Sequence, residues 1–278
     1  MAVTIGLSVV PHRTDMKSMR NAWVKAEELG VDVLYSADHF HDQINDAEQA
    51  MRVSSGDSYG KVLHEGSSFE GTTIQAAMAM TTSRARIGAI CHAIGYRNPN
   101  LMADIARTID HLSGGRFILG MGTGYLKADY EDYGYEFGTQ TSRAEDLARG
   151  IPIIKERFKK LNPGPMGPLP ILIASMGEKI GMRVVAEHAD MWHVYGPMDK
   201  IRQKIEVLRQ LCREVGRDFS DIELITYYWP QISGLDENPV DYLAEGFKHI
   251  VCVAQGPKWD FGQLREVLQW RDSLPPDA

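Results

Sequence analysis

Eight short segments rich in β-branched and other apolar residues alternate with longer amphipathic segments along the chain. The apolar segments cover residues 3–10, 31–38, 86–94, 116–122, 171–175, 191–195, 222–229 and 249–255. Each has the length of a buried strand, and most are followed by a segment with the period of a helix. Eight strand–helix units in series, in a chain of 278 residues, are typical of an α/β fold of the (β/α)8 TIM-type barrel kind.

A doubly wound open sheet is the alternative fold, because it is built from the same kind of unit. Two long segments without a clear period interrupt the pattern, at residues 40–69 and after residue 122. Loops of this length inside a compact domain are usually functional, so we expect both at the C-terminal face of the barrel. We predict a single domain over residues 1–278.

Charge and composition argue against several classes of partner. The formal net charge is −7 at pH 7, whereas nucleic acids and anionic membranes are bound by basic faces. No apolar stretch is long enough to span a bilayer, and no basic segment followed by an apolar run opens the chain. The three cysteines are scattered, which predicts neither a disulfide framework nor a zinc site. We expect a cytoplasmic protein with a small-molecule substrate and no nucleic-acid or membrane partner.

Several predicted strands end in residues that carry polar groups or leave the backbone accessible. Asp38 and His39 follow the second strand, and the other strand ends are residues 89–92, 122–124 and 175–177, Tyr195, Trp229 and Gln255. In a TIM barrel the chemistry lies at the C-terminal ends of the strands. We therefore predict that Asp38 and His39 lie at the mouth of the barrel, where polar groups need not be buried unpaired.

Each of these features also has an ordinary structural interpretation. A lone histidine such as His39 is more often a loop residue that forms a hydrogen bond than a catalytic group. The segment GMGTG at residues 120–124 is typical of a tight turn, and its third glycine has the wrong spacing for a dinucleotide-binding GxGxxG motif. Residues 176–179 are interpreted as the start of a helix, where Glu178 is a favourable charge. The free backbone N–H groups there could instead hold a phosphate, with Lys179 as counter-charge.

A metal site is a further alternative. His39 and His41 have the spacing used by metal-dependent hydrolases built on this barrel, in which the pair lies on the first strand and an aspartate ends the last one. Here the pair follows the second strand, and the last strand ends in Gln255. We predict no metal, and a bound zinc or iron stays the alternative.

Three stretches resemble the bacterial-luciferase-like superfamily, and most closely its actinobacterial branch that uses the deazaflavin coenzyme F420. They are SADHF (residues 36–40), ARIGAICHAIGYRNPNLMADIARTIDHLSGGRFILGMGTGYLKADYEDYGYEF (85–137) and PILIASMGEKIGMRVVAEHADMWHVYG (170–196). The block that begins with RNP and runs through LSGGRF is the most specific of these motifs. The resemblance extends over nearly the whole chain.

The resemblance implies a (β/α)8 barrel with a flavin-type ring across its C-terminal mouth, and a homodimer. Asp38 and His39 would contact the ring. The residues implied to complete the cofactor site are Ala89, Ile90, Cys91, Gly122, Thr123, Ser175, Met176, Gly177, Glu178 and Lys179. Of these, residues 89–91 would form a backbone kink, often a cis peptide, against the middle of the ring, and residues 175–177 would bind the phosphate. Tyr125 stands where the sugar-phosphate dehydrogenase branch carries a glutamate proton donor, so that activity is not expected.

We therefore predict an F420-dependent oxidoreductase in which His39 is the proton partner. Asp38 is expected to orient His39 or to bind the polar edge of the ring, and Cys91 is expected to be a packing residue. Gly177 is expected to need a conformation reserved for glycine. The alternatives are an FMN-dependent monooxygenase, a cofactor-binding barrel without turnover, and the metal-dependent hydrolase.

Overall fold

The computed structural model describes residues 3–43, 62–228, 239–256 and 258–275. Its main sheet is a closed barrel of parallel strands: β1 (Thr4–Val10), β2 (Val33–Ser36), β5 (Arg86–Ala89) continued by β6 (His92–Ala93), β7 (Phe117–Gly122), β8 (Ile171–Ala174), β9 (Met191–His193), β10 (Glu223–Tyr227) and β11 (His249–Gln255). Pairing of β1 with β11 and of β5 with β7 closes the ring. The predicted (β/α)8 barrel is confirmed, and the open sheet is wrong.

Helices cover the outside of the barrel. They are α1 (Met16–Leu29), α2 (Gly71–Thr81), α3 (Pro99–Ser113), α4 (Lys127–Glu131), α5 (Gln140–Lys160), α6 (Gly181–His188), α7 (Met198–Val215), α8 (Pro239–Ala244) and α9 (Gly262–Ser273). The ends of α3 follow from local sequence: Asn98 accepts the N–H of Asn100 at 2.9 Å, and Gly114 closes the helix at a φ of 69°. Within the described residues, no helix is both long and apolar enough to cross a membrane.

Two apolar clusters of the described residues lie on the two faces of the barrel strands. Alternate residues of β1 show the division, since Ile5, Leu7 and Val9 belong to the large cluster between the strands and the helices. A smaller cluster fills the inside of the barrel and consists of Val33, Tyr35, Ile118, Leu172, Met191, Ile225 and Val251. The period of two along each strand places these two sets on opposite faces.

The segment after β2 contains a small ribbon of its own. β3 (His41–Gln43) pairs antiparallel with β4 (Val62–Ser67), separate from the barrel. The prediction of a loop without secondary structure over residues 40–69 is therefore wrong at both ends. Its middle, residues 44–61, lies outside the described residues, as does Trp229.

The third strand of the barrel is interrupted where the cofactor kink is predicted. β5 ends at Ala89, β6 begins at His92, and the peptide bond between Ile90 and Cys91 is cis. The expectation of a non-planar or cis peptide near Ile90 is confirmed.

Two glycines of β7 make room for this interruption. A Cβ built on Gly120 would overlap the carbonyl oxygen of Ala89, and one built on Gly122 would overlap the Sγ of Cys91. The glycines of the GMG sequence thus serve the close approach of the neighbouring strand. Gly122 is buried against that strand.

Replacing Gly120 with alanine is expected to lower the free energy of unfolding by about 2 kcal/mol. The new methyl group would overlap the backbone carbonyl oxygen of Ala89, which cannot move aside by a change of rotamer. Urea denaturation at constant m-value measures the change. Gly164→Ala is the matched control, since its added Cβ would lie 3.8 Å from its nearest neighbour, the carbonyl oxygen of Leu161. Equal effects of the two substitutions would contradict this account.

Candidate active site

The C-terminal ends of the barrel strands surround an opening with a partly exposed inner wall. The cluster inside the barrel is buried, whereas Ile90, Ala174 and Tyr227, which pack on top of it, remain partly exposed. Cys91 and Tyr195 have the same intermediate exposure. A mouth lined by apolar and aromatic groups with a few polar atoms is typical of sites for organic ligands.

His39 lies at this mouth, directly after β2, and is held by a residue distant in sequence. Its Nδ1 is 2.7 Å from Oδ2 of Asp129, and its ring meets the ring of Tyr125 edge-on at 5.1 Å between centroids. The side chain of His39 is 17% exposed. Since an ionised carboxylate only accepts hydrogen bonds, Nδ1 is the donor, and in the neutral ring Nε2 then carries the lone pair.

Asp129 is a fully buried carboxylate at the centre of a set of donors. It accepts the backbone N–H groups of Phe40 and His41 at 3.1 Å each, the Nδ1–H of His41 at 2.8 Å and the hydroxyl of Tyr96 at 2.8 Å, besides His39. Burial acts to raise the pKa of Asp129, but these hydrogen bonds outweigh it, so that the pKa is lowered. The residue comes from α4, the short helix after β7.

The two histidines considered as metal ligands are thus bound to carboxylates. His41 also places its Nε2 at 2.9 Å from Oδ2 of Asp132, so that both of its ring nitrogens face acidic residues. Across residues 3–43, 62–228, 239–256 and 258–275, no group of three or more potential ligands is arranged to hold a metal ion.

Asp38 belongs to a separate ionic network. The guanidinium of Arg97 donates to both of its oxygens, at 2.6 and 2.8 Å, and the Nδ1 of His92 lies 3.0 Å from Oδ2. Arg97 also pairs with Glu70, which caps α2 by accepting the N–H of Thr73. Burial opposes ionisation of Asp38, but His92 and Arg97 outweigh it and lower the pKa of Asp38 to about 2.

This arrangement corrects the role predicted for Asp38. Its side chain is 1% exposed and Arg97 engages both of its oxygens, so they are not placed to orient His39. Asp129 takes the orienting position instead. Arg97 belongs to the RNP block, so the sequence offered a signal by which it could have been selected as a site residue. Asp129 lies in a polar stretch where no pattern distinguishes it from its acidic neighbours.

The strand interruption brings a thiol and backbone groups to the mouth. Burial, with a smaller effect of Asp38, raises the pKa of the Cys91 thiol to about 12, which opposes the thiolate form that a nucleophile needs. The N–H of Ile90 donates to the carbonyl of Ser36 at 3.1 Å, and Ala89 is fully buried. Thr123 is partly exposed, and its carbonyl accepts the hydroxyl of Tyr130 at 3.2 Å.

The segment predicted to bind phosphate differs from the expectation. The helix begins at Gly181, not at Met176, and residues 178–180 form a turn ahead of it. Ser175 is buried and its carbonyl accepts the indole N–H of Trp192 at 2.9 Å. Glu178 and Lys179 are exposed, and Glu178 accepts Lys204 at 2.7 Å. The prediction that a helix start occupies residues 176–179 is wrong.

Gly177 is exposed, and a Cβ built on it would have no atom within 4 Å. Its φ does not lie in the left-handed range either, so the expectation that this position needs a glycine-only conformation is wrong. The segment still presents an exposed backbone beside the mouth. Met182 donates its N–H to the carbonyl of Gly177 at 2.9 Å.

His193 provides a buried polar group at the floor of the mouth, which sequence reasoning missed. It lies two residues beyond Met191 on β9 and therefore on the same inner face, with its ring 4.5 Å from that of Tyr227 and 5.6 Å from that of Tyr195. It is 2% exposed, and its Nε2 has no hydrogen-bond partner in the part of the chain that the structure describes. Burial, with a smaller effect of His249, lowers the pKa of His193 to about 3.

A family model described as luciferase-like monooxygenase matches residues 3–237. The pyrimidine monooxygenase RutA of Enterobacter sp. (strain 638) is 27% identical over 187 residues, which are 61% of this chain and 50% of that protein. The chain therefore spans about half the length of the first curated relatives that it matches.

Two solved structures illustrate the range of cofactors among similar folds. An F420-dependent secondary alcohol dehydrogenase, in complex with an F420–acetone adduct, has a TM-score of 0.74 and 15% identity over 96% of this chain and 98% of that one. The oxygenating constituent of 3,6-diketocamphane monooxygenase from Pseudomonas putida, in complex with FMN, has a TM-score of 0.58 and 15% identity, covering 82% of this chain and 68% of that one. At these identities they establish likeness of fold.

The buried His193 is expected to make stability depend on pH. Its pKa is about 3 in the folded protein against an ordinary 6.5, so the unfolded chain binds more protons between these values and the free energy of unfolding falls as the pH is lowered through them. His193→Phe removes this term, which amounts to about 1.4 kcal/mol per pH unit within the window. Urea denaturation between about pH 7 and pH 5 measures it. Parallel curves for the wild type and the variant would contradict the assignment.

Proposed function

The chain belongs to the luciferase-like monooxygenase family, and on that basis we propose that it is an F420-dependent oxidoreductase acting on a small organic substrate. It would transfer a hydride between the deazaflavin and that substrate. The observation that carries the proposal is His39 at the mouth of the barrel, with Nδ1 bound to Asp129 and Nε2 left to exchange a proton. The similarity of fold to an F420-dependent alcohol dehydrogenase over 96% of this chain supports the choice of cofactor.

The residues at the mouth fit a planar ring with a phosphate-bearing tail. The ring would lie against residues 89–91, Gly122 and Thr123, where the inner wall of the barrel is partly exposed. The Nε2 of His193, which has no hydrogen-bond partner among the described residues, is a hydrogen-bonding atom at the floor of the same space. Residues 175–177 would hold the phosphate, with the exposed backbone of Gly177 facing it and Lys179 as the cation.

When bound, the deazaflavin supplies the hydride chemistry. The chain supplies the proton: His39 takes it up or releases it at Nε2 as the hydride moves, and Asp129 stabilises the charged ring. Burial raises the pKa of Tyr195 and of Tyr227, so these side chains stay neutral hydrogen-bonding groups beside the site. Cys91 contributes packing.

An FMN-dependent monooxygenase is the second candidate function. It is favoured by the family description and by the monooxygenase names of the curated relatives. Reduced FMN reacts with oxygen, whereas a deazaflavin does not sustain that reaction, so oxygen consumption separates the two functions. A homodimer, a cytoplasmic location and a single domain over the whole chain stay predictions.

Fluorescence titration with F420 and FMN in parallel tests the choice of cofactor. We expect F420 to bind at least about tenfold more tightly, a difference of about 1.4 kcal/mol in binding free energy. Tighter binding of FMN, together with oxygen consumption by the reduced complex, would establish the monooxygenase instead. Absence of binding by either cofactor would overturn both proposals.

Replacing His39 with alanine is expected to reduce the rate of hydride transfer by roughly 10²- to 10⁴-fold while F420 affinity changes by no more than a few-fold. The reason is that the affinity arises from the phosphate, the tail and the contact area of the ring. Single-turnover kinetics at saturating F420, with a substrate that the wild type turns over, measure the rate. His188→Ala, at the end of α6, is the control. Weaker binding with a normal rate would mean that His39 only tethers the loop after β2.

A further inference from the structure

We infer that Asp129 is the positioning residue for His39, and that it fixes the tautomer in which Nδ1 carries the proton. The consequence for catalysis rests on the proposed function, but the tautomer itself does not. Nothing in the sequence connects the two residues, which are separated by 90 positions. They meet because the barrel brings the segments after β2 and β7 to the same mouth.

The hydrogen bond between His39 and Asp129 is short, and the ionised state of Asp129 determines which of the two groups donates. The distance between His39 Nδ1 and Asp129 Oδ2 is 2.7 Å, within the range of charge-assisted hydrogen bonds. Asp129 has a lowered pKa and is therefore an acceptor at neutral pH. A neutral His39 must then place its single proton on Nδ1, since a lone pair at that nitrogen would face a carboxylate.

The other donors hold the carboxylate in one orientation. Oδ1 accepts the N–H groups of Phe40 and His41 and the Nδ1–H of His41, while Oδ2 accepts the hydroxyl of Tyr96 besides His39. Asp129 is fully buried, so rotating it would break several of these bonds with no water to replace them. The backbone that follows His39 is thus tied to the same carboxylate as its ring.

Among the residues that the structure describes, Asp129 is the anion in direct contact with His39. Burial, with a smaller effect of His39, lowers the pKa of His12 to about 4, which makes His12 neutral near pH 7. Asp42 is paired with Arg13. Asp132 lies on the far side of His41, 2.9 Å from its Nε2, and Tyr125 presents its ring to His39.

The substitution Asp129→Asn is expected to reverse the tautomer of His39, because an amide has an oxygen that accepts hydrogen bonds and an NH2 group that donates them. Three donors face Oδ1 and two face Oδ2, so the amide oxygen should occupy the Oδ1 position. Its NH2 group then faces Nδ1 of His39, which must become an acceptor. The ring proton moves to Nε2, where it blocks proton uptake.

Nitrogen-15 spectra of the histidine rings test the tautomer without cofactor or substrate. In the wild type, at a pH where the ring is neutral, we expect Nδ1 of His39 to be protonated and Nε2 to be bare. In Asp129→Asn we expect the reverse, and Asp129→Glu is expected to restore part of the wild-type pattern. Glu131→Gln is the matched control. It also replaces a carboxylate of α4 by an amide, but at an exposed residue that pairs with Lys127.

The spectra report the tautomer of His39, and the kinetics report its role in the reaction, so the two measurements test these points separately. A wild-type His39 with its proton on Nε2 would overturn the inference without any variant, which keeps it testable even if Asp129→Asn does not fold. A reversed tautomer in Asp129→Asn supports it. The rate of hydride transfer should then fall by roughly 10²- to 10⁴-fold at unchanged KM. A reversed tautomer with a normal rate would support the positioning by Asp129 and reject His39 as the proton partner.

Discussion

Closure of the barrel between β1 and β11 is the constraint on which the rest of the structure depends. Seven residue pairs join these strands, from Thr4 with His249 to Val10 with Gln255. Once the ring is closed, the C-terminal ends of all eight strands meet at one mouth. Residues that are far apart along the chain then become neighbours: β5 pairs with both β2 and β7, which brings His39 and Asp129 together.

Asp38 and Asp129 are both buried carboxylates near this mouth, but they have different partners. Asp38 is held by Arg97 and His92, and it ties the end of β2 to the segment after β6. Asp129 faces hydrogen-bond donors that include two imidazoles, and its effect is on the orientation of His39. Both carboxylates have a lowered pKa because donors outweigh the cost of burial. The two carboxylates therefore differ in their partners: Asp38 forms an ion pair with Arg97, whereas Asp129 accepts hydrogen bonds from His39 and His41.

The family supplies the frame of the site, and the residues of this chain decide its details. The glycines of β7 accommodate the break in the third strand, so Gly120 and Gly122 are explained by packing before any ligand is considered. The floor of the mouth is neutral and hydrogen-bonding, since burial lowers the pKa of His193 and raises that of Tyr227. Such a floor suits an uncharged part of a cofactor or substrate, consistent with the proposed oxidoreductase.

The sequence alone determined the eight strands, the ends of α3 at Asn98 and Gly114, and the position of His39 after a strand, because burial period and caps are local properties. The resemblance to a family added the break near Ile90. Only the tertiary structure decided that Asp129 holds His39 and that Arg97 engages Asp38. It also decided that Gly177 lies in open space ahead of a helix that begins at Gly181. The two side-chain contacts join residues 90 and 59 positions apart, and the closed barrel, not any local pattern, sets which of the available donors and acceptors meet.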